Sequence, residues 1–241
     1  MSASVRIDFS RPIALFPLPA VSLFPHTAEC LQAFEPRYRQ MVEDCLRARG
    51  DGPVLGAAPI AMATYAGRSW SGERLGDPPL RPVVCVGKMV EHVRLDNGHH
   101  RFIIHGLGRA RIESISEPDG RRLYRVAKLA PLESTMGAPR RLPGFNQMLG
   151  SILESPALQR IHRFGTIRDW LARGAVPSEV VVEQLLSMLA RDDDTRYGLL
   201  AEPRCRERAR FVLSELSHLG SQLERACERT AAPTMRGVTL N

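Results

Sequence analysis

The sequence predicts an α+β protein: a β-rich N-terminal part, folded as an antiparallel sheet or half-open barrel with one helix packed on it, followed by a C-terminal helical bundle. Three observations predict it. Between Ile13 and Leu46, short apolar runs broken by prolines lead directly into one amphipathic helical pattern. Between Val83 and Ile112, two alternating runs flank Asn97-Gly98, a pair suited to the positive φ values of a tight hairpin turn. From Phe145 onward the apolar period becomes that of a helix.

Taken in order, residues 1–11 form a loose lead-in with a short apolar touch at Val5–Ile7. Ile13–Leu18 and Val21–Phe24 are apolar, and each runs into a proline-marked break; a third piece, Leu31–Phe34, ends at Glu35-Pro36. Proline has no N–H and a fixed φ, so Pro17, Pro19 and Pro25 are expected at strand ends or edges. Pro36 instead suits the first turn of a helix, where the missing donor costs nothing. After it Tyr38, Met41, Val42, Cys45 and Leu46 recur on one helix face. The opening block therefore reads strand, turn, strand, helix. Gly50-Asp51-Gly52-Pro53 marks a turn, Val54–Tyr65 contains a strand, and residues 66–82, with Trp70, form an irregular surface loop of the kind that carries function.

In the hairpin, a two-residue turn puts Leu95 opposite His100, Val93 opposite Phe102 and Glu91 opposite Ile104, with that face toward the core. His92, Arg94, Arg101, Ile103 and His105 then point to solvent. Gly106-Leu107-Gly108 permits a bulge or a close strand crossing. Pro118-Asp119-Gly120 makes the next turn and Leu123–Leu132 the last strand. Residues 1–133 thus form the β-rich subdomain, 134–144 a linker, 145–230 the helical subdomain and 231–241 a frayed tail. Within the helical part, Phe145, Leu149, Ile152 and Leu153 mark one helix and Ile161–Leu171 a shorter element. The next helix is capped by Ser178, carries Glu179 in its first turn and ends at Asp192-Asp193-Asp194. Pro203 opens a long helix with Ala209, Val212, Leu213, Leu216, Leu219, Leu223 and Cys227 inward, and most of its arginines and glutamates outward.

With 241 residues and 44% hydrophobic content, the chain is long enough to bury a core. It has no apolar run near the ~18 residues of a membrane span and no signal-peptide pattern. A soluble, cytoplasmic protein without a membrane partner is the expectation. The net charge is +7, and it is spread evenly: 18 basic and 14 acidic residues in 1–139 (18 − 14 = +4), 15 and 12 in 140–241 (15 − 12 = +3). Nucleic-acid binders concentrate such charge on one face or tail. Only Lys88 and Lys128 are lysines. The five cysteines, odd in number and without a C-x-x-C, read as small buried hydrophobes in a reducing compartment.

The motifs LFPLPAVSLFP at 15–25 and FEPRYRQMVEDCL at 34–46 resemble the N-terminal substrate-binding domain of Lon proteases and of free-standing LON-domain proteins, F-E-P-R-Y being the most specific piece. GKMVEHVRLDNGHHRFIIHGLGRARI at 87–112 resembles the same family, so the likeness covers about residues 12–133. A weaker likeness, in YGLLAEPRCRERARFVLSEL, extends to the helical part. One departure is His26, where the family usually has glycine after the second F-P, and the local turn geometry is open there. The resemblance implies a PUA-like β part, a helical bundle behind it and recognition of unfolded polypeptide or of a protein partner.

No chemistry competes with that reading. There is no G-x-x-x-x-G-K-[ST] phosphate loop and no G-x-S-x-G elbow. With two lysines, both in the β region, a serine–lysine peptidase is not expected. Neither enzyme activity nor a cofactor is expected. Of seven histidines, four stand at 92, 99, 100 and 105. His92 and His105, diagonal on the outward face, would need a third ligand to hold a metal, and no H-E-x-x-H or cysteine supplies one, so no metal site is assigned. The candidate binding residues are Phe24 and Phe34 beside the opening turns, Tyr38 at the helix start and Trp70 in the long loop. An open sheet edge binds extended peptides through backbone hydrogen bonds with little sequence demand. The alternative is a PUA-like RNA-binding protein, favoured by the positive charge.

Overall fold

The structure, a computed structural model, describes residues 7–21, 23–67, 78–132 and 140–231. Six strands, β1 (Ile13–Leu18), β2 (Ala28–Ala33), β3 (Ile60–Thr64), β4 (Val83–Arg94), β5 (His100–Ser116) and β6 (Val126–Pro131), lie in the order β2-β5-β4-β3-β1-β6, and β5 also pairs with β6. The second pairing closes a ring of five strands and leaves β2 outside it. All pairings are antiparallel except β1 with β3, which run parallel from Ala14↔Ile60 to Leu18↔Thr64.

Strand β1 is buried on both faces. Ile13 and Leu15 join Ala61, Ala63, Val84, Val86, Ala110, Ala127 and Leu129 in one cluster. Ala14 and Phe16 join a second cluster with Tyr38, Met41, Val42 and Cys45 of α1 (Pro36–Arg47). The alanines leave room for the few large side chains that a small barrel accepts. Pro17 lies inside β1 rather than at its end, beyond the two residues that pair with β6. Pro36 opens α1 as expected. Val21, Leu23 and Phe24 are core residues outside any strand, so the second strand is β2, not Val21–Phe24. Val54–Gly56 is a single 3-10 turn, and the strand expected in that stretch is confined to β3.

Two compact units are built from non-contiguous stretches: Met1–Ala138 with Glu183–Cys205, and Pro139–Val182 with Arg206–Asn241. In the first, α6 (Asp193–Ala201) joins the barrel: Leu200 enters the α1 cluster, and the Val83 N–H donates to the Tyr197 hydroxyl at 3.0 Å. Arg109 of β5 donates from Nη2 to Glu183 Oε2 at 2.8 Å and from Nε to the Leu200 carbonyl at 3.0 Å, with both charged side chains withdrawn from solvent.

The second unit holds α2 (Phe145–Leu153), α3 (Pro156–Gln159), α4 (Gly165–Arg173) and nearly all of α7 (Cys205–Ala231). Helix α5 (Ser178–Leu189) begins there. Ser178 does not cap α5. It is the first helical residue, and its hydroxyl accepts from the Leu142 N–H. Asp192 caps α6, accepting from the Thr195 N–H at 2.8 Å, so the acidic triplet starts a helix rather than ending one. Among the arginines of α7, most of them expected outward, Arg208 is fully buried against Glu179, and Cys227, expected inward, is exposed. No described helix is long and apolar enough to cross a membrane.

Candidate edge-strand binding site

The first half of β5 and the turn before β2 together create an open edge. Phe24-Pro25-His26-Thr27 is a β-turn in which the Thr27 N–H donates to the Phe24 carbonyl at 3.2 Å. The Thr27 hydroxyl also donates to that carbonyl and accepts from the Phe24 N–H. His26 has φ 61°, the one described non-glycine residue with positive φ. It occupies the left-handed position that glycine fills at least cost. The turn presses against Gly106, where a Cβ would overlap the Phe24 carbonyl oxygen. Leu107 is an extra residue opposite the Val86–Gly87 step, so the Gly106-Leu107-Gly108 stretch holds both the close crossing and the bulge.

The Gly106 N–H donates to the Thr27 carbonyl, and Ala28 to Ala33 then pair with His105 to His100. In an antiparallel ladder the bonded residues alternate. Glu29, Leu31 and Ala33 therefore turn their backbone groups to β5, and Ala28, Cys30 and Gln32 turn theirs outward. Among the described residues no strand pairs with that outward side. Ala28, Cys30 and Gln32 are also exposed by side chain.

Just past the strand stands Phe34, 57% exposed, whose ring lies 6.3 Å from that of His99. The face shared with β5 and β4 follows the register Gln32–Arg101–Val93 and Cys30–Ile103–Glu91. Val90, bulged between Met89 and Glu91, and Val93 are exposed on it. Phe34 and Ile103 thus lie beside the open strand with apolar surface, Val90 and Val93 continue that face one strand further in, and Arg101 gives it a positive charge.

The hairpin corrects the expected register. The Leu95 N–H donates to the His99 carbonyl and the Gly98 N–H to the Leu95 carbonyl, so the loop has three residues, Asp96–Gly98, with Gly98 at φ 75°. Arg94 faces His100, Val93 faces Arg101 and His92 faces Phe102. The inward face of β5 is as expected, but β4 is displaced by one residue, which turns Val93 to solvent. His92 accordingly meets His100 and not His105. Their rings stack at 5.2 Å and share a 2.9 Å hydrogen bond between Nε2 of His92 and Nδ1 of His100. Glu43 of α1 lies 3.4 Å from His100 Nε2. Burial lowers the pKa of both imidazoles, and the neighbouring His100 lowers that of His92 further. Burial likewise lowers His105, which lies near His26.

Of the four candidate residues, Phe34 stands in solvent at the end of β2. Phe24 is fully buried under the Arg196 guanidinium, 5.2 Å from its ring centre. Tyr38 is buried edge-on against Phe16 at 4.5 Å, and desolvation raises its phenol well above its usual value. Trp70 lies outside the described residues. Sequence reasoning missed Ala28, Cys30 and Gln32, because β2 reads as starting at Leu31. The alternation of Ala28, Cys30 and Gln32 with Glu29 and Leu31 carries no strong apolar period.

A model of the family described as ATP-dependent protease La (LON) substrate-binding domain matches residues 12–218. A search of curated proteins finds no match. Among solved structures, the Lon N-terminal domain protein from Xanthomonas campestris is 18% identical at a TM-score of 0.57, covering 85% of this chain and 98% of its own. The N-terminal domain of the Mycobacterium avium complex Lon protease is 12% identical at 0.58, covering 86% and 98%. At these identities the likeness concerns the fold.

Proposed function

Because the chain belongs to the family of LON substrate-binding domains, we propose that it is a non-catalytic LON-type substrate-binding protein that takes hold of extended polypeptide along the free edge of β2. The observation that carries this reading is the unpaired outward side of Ala28, Cys30 and Gln32, which leads into exposed Phe34. A strand added there gains main-chain hydrogen bonds whatever its sequence, and Phe34 at the end of β2 favours clients with apolar side chains. Such a site selects for an available backbone, which native proteins hide and unfolded ones offer.

The test is binding to a permanently unfolded model protein compared with its native form. The unfolded form is expected to bind and the native form not. Cys30→Pro deletes one outward N–H without touching the ladder to β5. It is expected to weaken binding about tenfold, a change of ~1.4 kcal/mol, and Phe34→Ala to weaken it in the same direction. Equal binding to both forms, or a Cys30→Pro protein that binds as before, rejects the reading.

A further inference from the structure

A second site lies away from the β2 edge. A cavity of about 340 Å³ is bounded by the lead-in to β1, the end of α1, the segment Gly56–Pro59, Lys88 and Tyr124. Ligand sites occupy about 300–1,000 Å³, so this one suits a single residue or a short acid. Its lining includes Ile13, Ala14, Cys45, Ala57 and Val126, all buried and apolar or nearly so.

The charges around the cavity do not balance. Asp44 accepts from Arg47 Nη1 at 2.6 Å and from the Tyr124 hydroxyl at 3.0 Å. Asp8 accepts from the Ser10 N–H and hydroxyl, and Arg11 lies 3.7 Å away. Each acid therefore has its own cation. Lys88 has none: its ammonium donates to the Ala57 carbonyl at 2.7 Å and the Leu55 carbonyl at 3.2 Å, and no described carboxylate lies within ion-pair distance. An ammonium has three protons, so one remains to donate. The same charge reaches the cavity lining: burial, and after it the Asp44 carboxylate, push the Cys45 thiol up to about 12, while Lys88 acts on it in the opposite direction. In a chain whose basic residues are otherwise almost all arginine, two carbonyls hold one of the two lysines at the wall of a cavity whose other charged lining residues, Asp8, Arg11 and Asp44, are already paired.

We propose that this cavity binds a carboxylate carrying a short apolar chain, with the anion on Lys88 and the chain on Ala14, Cys45, Ala57 and Val126. Two sources share that chemistry, the C-terminal residue of a polypeptide and a free apolar acid. The proposal is independent of the β2 reading, and neither experiment decides the other.

Calorimetric titration of the full chain tests it with three probes: an N-acetylated pentapeptide ending in leucine, N-acetyl-leucine and valerate. The first two are also titrated as their amides. Each acid that binds is expected to do so at least about tenfold more tightly than its amide, a difference of ~1.4 kcal/mol. Lys88→Met is expected to abolish that difference. Ala48→Leu, a substitution of an exposed residue at the mouth that leaves every charge in place, is expected to weaken all three probes and guards against a misfolded Lys88 variant. A pentapeptide bound tighter than N-acetyl-leucine identifies the chain terminus as the source, and equal affinity of all three acids identifies the free acid. Acids and amides that bind equally, no binding at millimolar probe, or unchanged binding in either variant overturns the proposal.

Discussion

The two halves of β5 share one strand and differ in almost everything else. From His100 to His105 the strand has β4 on one side and β2 on the other, and beyond β2 no described strand pairs. From Arg109, whose carbonyl accepts from the Leu132 N–H just past β6, to Ser116 its second neighbour is the β6 segment, and the pairing of β6 with β1 completes the ring. The closed half holds a charge pair, Arg109 with Glu183, out of reach of water. The open half holds its charged Arg101 in solvent and keeps two stacked histidines behind it. Hydrogen-bond order, more than composition, decides which stretch is structural and which is available to a partner.

The largest expected effect lies in the closed half. Arg109→Met leaves Glu183 charged and buried, which costs about 3–5 kcal/mol, whereas Arg101→Ala in the open half should change stability by less than ~0.5 kcal/mol. Urea unfolding of both variants measures the contrast, and similar midpoints would erase it. Arg109→Met with Glu183→Leu should recover most of the loss, because no lone charge is then buried.

Gly106 sits at the joint between the halves. Gly106→Ala puts a methyl into the Phe24 carbonyl, and overpacking of this kind costs about 1–3 kcal/mol. Thermal melting should show the loss, and weaker binding of unfolded protein should accompany it, since the displaced turn launches β2. A stable variant with normal binding would separate the turn from the edge.

The smallest effect is a pH dependence confined to the open half. His92 and His100 have folded-state pKa values below their ordinary 6.5, chiefly through burial. In acid the unfolded chain therefore binds more protons than the folded one. Their contribution is fully present above about 6.5 and is lost as pH falls through the folded values. Arg39, Arg49 and Arg94 oppose protonation, and Glu43 favours it. Melting temperature should fall between pH 7 and 5, and His100→Gln should flatten that slope. An unchanged slope would show that the pair does not couple to folding.

What the sequence reveals follows the range of the interaction. Helix α1 is legible because Tyr38, Met41, Val42 and Cys45 repeat locally, and Pro36 marks its start. The hairpin is legible from Asn97-Gly98, but the loop length is not, and one extra residue turns the β4 face over from Arg94 to Glu91, until the bulge at Val90 restores it. No local pattern marks Arg109 as buried, because its counter-ion stands 74 positions away. None marks Arg208 either, because Glu179, 29 positions earlier, lies on another helix. The open edge of β2 is illegible for the same reason: an edge is defined by which strands lie beside it, and no local pattern records that.

The distance from Arg109 to Glu183 also bears on how the protein is made. A ribosome adding about 5–20 residues per second delivers Glu183 roughly 4–15 s after Arg109. Throughout that interval the emerging barrel carries the Arg109 guanidinium before Glu183 has been made, and Leu200 has yet to be synthesised. The nascent chain must wait, half assembled, for its later third, and nascent-chain chaperones would have their longest claim on it then.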